Sequence, residues 1–289
     1  MRTLIRILQL AAFTSLATSS AFAQAPLRLE PPPPDRIQRL TLTDGSEVLG
    51  RVVAVDGDTV QFQSALGVTK ITRHAIRGIR VERPGRVFQG QYYHPNPNST
   101  RLIFAPSGRM LEKDEGYFSD YWVFFPGFAH GLTSRLSIGG GMSIFPGLDP
   151  SDQLFFLTPK VGVVQSPTVN AAVGALVIRV PDERTTGILY GVTTWGHEDA
   201  SVTAGLGYGF HGGDLADRPA VMLGGELRVA QRMSLITENY LLPGDLRIIA
   251  AGPRFMARDI SVDLTLANFA SGGDSFTAPL LSFTWRWGA

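Results

Sequence analysis

The histidines His74, His94, His130, His197 and His211 are the side chains in this sequence best suited to general base chemistry. A serine-type hydrolase needs a hydroxyl nucleophile, a histidine base and an orienting acid. His130 lies near Ser134, and His211 lies near Asp214. An envelope lipid hydrolase would rest on those two proximities. The three histidines His130, His197 and His211 fall at predicted strand ends or turns, where polar side chains are ordinary. The sequence contains neither a G-x-S-x-G elbow nor an H-E-x-x-H pair. His197, Glu198 and Asp199 can each touch a metal, but three adjacent residues cannot all face one ion from a strand. No catalytic residue, metal ligand or cofactor is therefore assigned. Gly205-x-Gly-x-Gly209 has the look of a phosphate loop, yet it has period two and no following helix, which marks a strand with a small inner face.

A second chemical set is charged. Lys160, Glu226, Arg228, Arg254, Asp263 and Arg286 lie within stretches that otherwise alternate apolar and small polar residues. In Ser201–Phe210, Val202, Ala204, Leu206, Tyr208 and Phe210 share one side, and Ser201, Thr203 and three glycines share the other. Leu136–Ile144, Ile260–Leu266 and Leu281–Trp287 repeat the pattern. In an outer-membrane barrel the apolar side faces lipid and the polar side lines the lumen. Arg or Lys on the lipid face costs about 2–4 kcal/mol at midplane, so the six charged residues are expected to face the lumen.

The elements that would carry them are twelve strands: 100–106, 116–129, 134–145, 153–165, 169–180, 186–196, 201–211, 219–230, 233–242, 246–257, 260–269 and 276–287. The faces of 169–180, 186–196 and 233–242 are not assignable from alternation. Alternate connections (131–133, 166–168, 197–199, 231–232, 258–259) are somewhat shorter on average than the intervening set, which puts both chain ends and the short turns on the periplasmic side. Opposite charges on neighbouring strands predict a narrow or occluded lumen held by Asp263–Arg286 or Asp263–Arg254. None of the predicted loops is long enough to act as a plug, so wall side chains are expected to do the closing.

Composition agrees with this architecture. Charged residues make up 18% of the 289 residues, against roughly 25% in soluble domains, and net charge is +1, which gives no electrostatic case for nucleic acid. Arg2 and Arg6, the apolar run Leu8–Ala17 and Ala21-Phe22-Ala23 predict a cleaved signal peptide over 1–23. There is no cysteine, and no apolar stretch is long enough for a membrane-spanning helix. An exported chain of this kind enters a membrane as a closed barrel.

A proline-rich spacer (24–35) precedes a run of short strands with Asp44-Gly45 and Asp56-Gly57 turns. Leu40-Thr-Leu-Thr-Asp-Gly-Ser46, Gly50-Arg-Val-Val53, Asp56-Gly-Asp-Thr-Val60 and Ala65-Leu-Gly67 make residues 36–82 resemble the Sm-like or SH3-like modules of bacterial envelope proteins. Modules of this type elsewhere bind RNA or peptides, but Phe62 is the single aromatic here. Arg73, His74, Arg77 and Arg80 form a basic edge suited to an acidic periplasmic partner or lipid headgroups. Residues 83–99 read as a linker to a barrel over 100–289. His94–Arg101, Glu115–Asp120, Ser137–Gly141, Thr158–Gly162, Gly205–Gly209 and Thr237–Gly244 resemble a group of bacterial outer-membrane-type barrel proteins, a likeness that implies a fold and no activity. The last strand has the alternating aromatics of an assembly signal but ends in Gly288-Ala289. The expected class is all-β: an antiparallel up-and-down barrel behind a small SH3/Sm-like domain, in contact with outer-membrane lipid. A structural or small-solute transport role follows. The rivals are an envelope lipid hydrolase and a soluble periplasmic β-sheet binding protein.

Overall fold

The computed structural model describes residues 29–34, 36–82, 86–88, 91–181 and 183–288; the predicted signal peptide falls outside them. The chain forms two compact units divided between Glu82 and Arg83.

The first unit is a five-stranded antiparallel sheet. Its strands are β1 (Ile37–Leu42), β2 (Glu47–Asp56), β3 (Thr59–Ser64), β4 (Gly67–Thr72) and β5 (Ile76–Glu82), in the order β4-β3-β2-β1-β5. Leu40, Val52, Val60, Phe62 and Ile76 fill its core. Gly45 adopts φ +86 in the β1–β2 turn, a conformation that suits glycine. Beside it the Ser46 hydroxyl and N–H donate to Asp44 Oδ1 at 2.7 and 2.8 Å, holding that carboxyl below its usual range. Gln38 is buried and bridges the sheet: its Nε2 donates to the Glu30 carbonyl, and its Oε1 accepts from the Val52 N–H.

The second unit begins with a short ribbon, β6 (Arg86–Phe88) and β7 (Gln91–Tyr93). The wall follows: β8 (Gly116–Tyr121), β9 (Phe125–Thr133), β10 (Leu136–Met142), β11 (Phe155–Leu157), β12 (Lys160–Gln165), β13 (Val169–Arg179), β14 (Thr186–His197) and β15 (Ala200–His211). It continues through the rim bridge β16 (Asp214–Leu215), then β17 (Ala220–Ala230), β18 (Met233–Leu241), β19 (Arg247–Met256), β20 (Ile260–Ser271) and β21 (Asp274–Trp287). Both β11 and β12 pair with β10 and β13, so they are one interrupted stave. β21 pairs with β8 from Ser282↔Tyr121 to Trp287↔Gly116, which closes the sheet into a twelve-stave antiparallel barrel.

The number twelve matches the sequence expectation, but the staves differ in two places. Residues 100–106 are not a strand. Leu102 N–H donates to the Ala105 carbonyl, Ser107 N–H donates to that of Thr100, and Arg101 bridges Pro106, which makes a tight hairpin. Residues 116–129 are not one strand either. Trp122 and Val123 turn the chain with φ of +56 and +71, so that β8 and β9 pair with each other. Both chain ends of the wall and the five connections expected to be short share one end of the barrel; the other end carries the longer connections together with the tight turns at Trp122–Phe124 and Gly272-Gly273. We call the first the terminal end, and the other the loop end.

The polarity of the barrel is inverted relative to a soluble protein. Leu206 is 57% exposed, Leu266 60% and Ile249 58%, and Val202, Leu223 and Leu264 are likewise exposed on the outer surface. Thr194, Thr203, Glu226, Arg254 and Asp263 are buried inside.

Candidate functional site

The lumen is filled by the chain itself. Residues 94–115, expected to be linker and first strand, fold into the barrel from the terminal end. Asn96, Asn98, Thr100, Arg101, Leu102, Ile103, Ser107, Leu111 and Glu115 are all buried. The expectation that wall side chains alone close the lumen is corrected here: residues 94–99, expected to be linker, and 100–106, expected to be the first stave, lie inside the barrel instead.

The wall holds this plug mainly by its backbone. Lys160 Nζ donates to the carbonyls of Thr100 (3.2 Å), Ser107 (3.3 Å) and Arg109 (2.7 Å). Glu238 Oε2 accepts the N–H groups of Phe104 and Ala105, both at 2.9 Å, and its Oε1 accepts the Tyr240 hydroxyl at 2.7 Å. Thr194 Oγ1 accepts the Gly108 N–H at 2.9 Å. Each contact satisfies a loop backbone group that would otherwise be buried without a partner, a loss of about 1–3 kcal/mol per group.

Charge pairs tie plug to wall at the terminal end. Arg254 binds Asp263 through two bonds of 2.7 and 2.8 Å, and Glu226 at 2.9 Å. Arg254 and Asp263 are register partners on β19 and β20. Arg254 also donates to the carbonyls of Leu102 (2.8 Å) and Asn98 (3.3 Å), while Asn96 Nδ2 donates to Glu226 at 2.9 Å. Arg286 does not reach Asp263 as one expectation had it; it pairs with Glu115 of the plug at 2.8 Å, because Glu115 sits at the mouth between plug and β8. Arg228 binds Asp199 at 2.9 Å and the His94 carbonyl at 2.7 Å. All six charged residues named from sequence thus lie inside or at the terminal mouth. Arg101, Glu115 and Glu238 join them, and the sequence had not singled these three out for the lumen.

The histidines are scattered. His211 faces Asp214 across a rim hairpin, His130 pairs in register with Gly116, and the His94 side chain is half-buried near Tyr93 at the mouth. Glu198 receives the Asn96 N–H at 3.3 Å. Among the described residues no cluster of three His, Asp or Glu is arranged to hold a metal ion. The aromatic residues of β8 and β9 divide: Tyr117 and Tyr121 turn inward, with the Arg101 guanidinium 4.5 Å from the Tyr121 ring centroid, whereas Phe128 faces out.

Glycine makes room for the plug. A Cβ on Gly108 would stand 2.0 Å from the Asn170 carbonyl oxygen, and one on Gly131 would stand 2.1 Å from that of Glu112. Gly108→Val therefore cannot seat without backbone movement, an overpacking cost of about 1–3 kcal/mol. Trypsin is expected to cut the folded variant at Arg101 and Arg109 roughly tenfold faster than wild type, since cleavage follows the open population. Equal rates would refute the seated plug.

The plug divides the remaining space. A cavity of about 450 Å³ at the terminal mouth is lined by Tyr93, Arg109, Gln165, Asn170, Glu198 and Arg228. Another, about 420 Å³, lies on the loop side of the hairpin tip and is lined largely by apolar side chains.

No family model and no curated protein matches the chain. Among solved structures, a KdgM porin in complex with disordered oligogalacturonate aligns at TM-score 0.46 and 6% identity, covering 59% of this chain and 96% of its own. A NanC porin aligns at 0.39 and 9%, covering 60% and 97%. A loop-deletion mutant of OmpT, an outer membrane protein of Vibrio cholerae, aligns at 0.36 and 11%, covering 87% and 96%.

Proposed function

We propose that the chain is an outer-membrane barrel that is closed at rest by its own plug and admits small solutes only when that plug moves. The inverted polarity carries this reading. Single exposed leucines are ordinary, but a contiguous apolar belt marks a partner or a membrane. Here the belt crosses the outward faces of β12, β15, β17, β18, β19 and β20. Aromatics flank it as interface anchors do: Phe124, Phe145 and Phe276 toward the loop end, Trp195, Phe255 and Trp285 toward the terminal end. The alternative of a soluble β-sheet protein would leave this belt in water.

The small unit is read as an Sm/SH3-like module on the periplasmic side. Arg73, His74, Arg77 and Arg80 are all exposed there and suit an acidic partner. The reading includes no catalytic step.

The test is fractionation with gel mobility. The protein is expected in the outer-membrane fraction, running at a shifted position until boiled. Release into the soluble periplasm without detergent would overturn the proposal.

A further inference from the structure

The loop-side cavity has a chemistry that plug closure does not need. Its walls are Leu176, Ile188, Val192, Met222, Phe269 and Leu280, on five different staves. Ile188 to Val192 on β14 spans four residues, about 13 Å along a strand at 3.3 Å per residue. Its volume lies within the range of about 300–1,000 Å³ that holds small molecules. The lumen of a membrane barrel is ordinarily polar, and the apolar lining sets this space apart from it.

Two buried cations line the same space. Arg101 and Lys160 are 3% and 7% exposed. Buried charges are normally paired, yet among the described residues neither cation has a carboxylate within ion-pair distance. Lys160 is held by three carbonyls. Arg101 donates to the Ile103 carbonyl and to the hydroxyls of Ser119 and Thr284, and its Nε has no partner. The one acid in the lining, Glu238, already has both oxygens occupied by neutral donors. The lining is therefore apolar, with two basic side chains against one acid at its floor.

We propose that this cavity binds a single-chain anionic amphiphile, with its hydrocarbon chain along the apolar wall and its carboxylate at Arg101. The proposal rests on the barrel reading above and adds the ligand class. Each buried methylene contributes about 0.8 kcal/mol, and the carboxylate would meet the guanidinium of Arg101, which lines the cavity.

The experiment uses the full-length protein in lipid nanodiscs, with retained heat-shifted mobility checked first so that loss of the barrel is recognised separately. Dodecanoate labelled with ¹³C at the carboxyl is titrated in. A second carboxyl resonance, distinct from the bilayer pool and saturating at one per barrel, is expected. Ala250→Phe fills the cavity and should abolish it. Arg101→Gln should weaken binding by about tenfold, the loss of roughly 1.4 kcal/mol of charge-assisted bonding. Dodecanol labelled at C1 should bind wild type and Arg101→Gln alike. A folded barrel with no second resonance, or one unchanged by Ala250→Phe, would overturn the site. Equal effects of Arg101→Gln on both probes would overturn carboxylate recognition.

Discussion

Replacing residues 94–111 with a flexible glycine–serine segment of equal length is expected to turn a silent barrel into a conducting one. Twelve staves enclose a lumen wide enough for water once its contents are removed. The plug occupies the terminal half through the bonds that Lys160, Thr194, Glu226, Glu238 and Arg254 make to it. The brace of Arg254 with Asp263 and Glu226 belongs to the wall alone and survives the replacement. Heat-shifted mobility should therefore persist while planar bilayers show stable ohmic steps that are absent from wild type. Silence from both proteins would mean that the wall closes the lumen unaided.

Arg254→Ala should be the most destabilising single substitution in the lumen. Arg254 is fully buried and contacts two carboxylates and two plug carbonyls. Removing one member of a buried ion set leaves uncompensated charge and costs about 3–5 kcal/mol. Neutralising the whole set, as Arg254→Met with Asp263→Asn and Glu226→Gln, should recover most of that loss, because the desolvation of three charges disappears with them. Urea unfolding followed by the heat-shifted band measures both. An unchanged midpoint for Arg254→Ala would show that the brace contributes nothing.

Much of the wall was legible because outward-facing apolar positions alternate with inward-facing ones. Leu136 and Ile138 on β10, Val202 and Leu206 on β15, and Leu264 and Leu281 on β20 and β21 are all exposed outward. The strands whose faces resisted assignment have a common cause. On β13, β14 and β18 the inner positions Leu176, Ile188, Tyr190 and Tyr240 line the apolar cavity, so both faces are greasy and period two fades.

The extra hairpin at Trp122-Val123 was hidden for a different reason. Neither residue favours positive φ, and no glycine or asparagine marks the turn. The plug was hidden because Leu102-Ile103-Phe104-Ala105 reads as a strand, while its anchors are backbone groups that every residue possesses. One clue was present. Pro95, Asn96, Pro97, Asn98 and Gly108 are turn residues packed around that run, a pattern better suited to a compact fold-back than to a stave.

The plug enters and leaves by one mouth: His94 lies beside Arg228 near the end of β17, and Glu115 leads directly into β8. Tension applied through the residues before His94 would therefore load its bonds in succession rather than together. The Arg228–His94 contact yields first, then those at Asn96, then Asn98, and the Lys160 and Glu238 clamps last. A bond set that peels resists far less force than the same set sheared at once, so a stopper seated through many bonds is still mechanically weak along one direction.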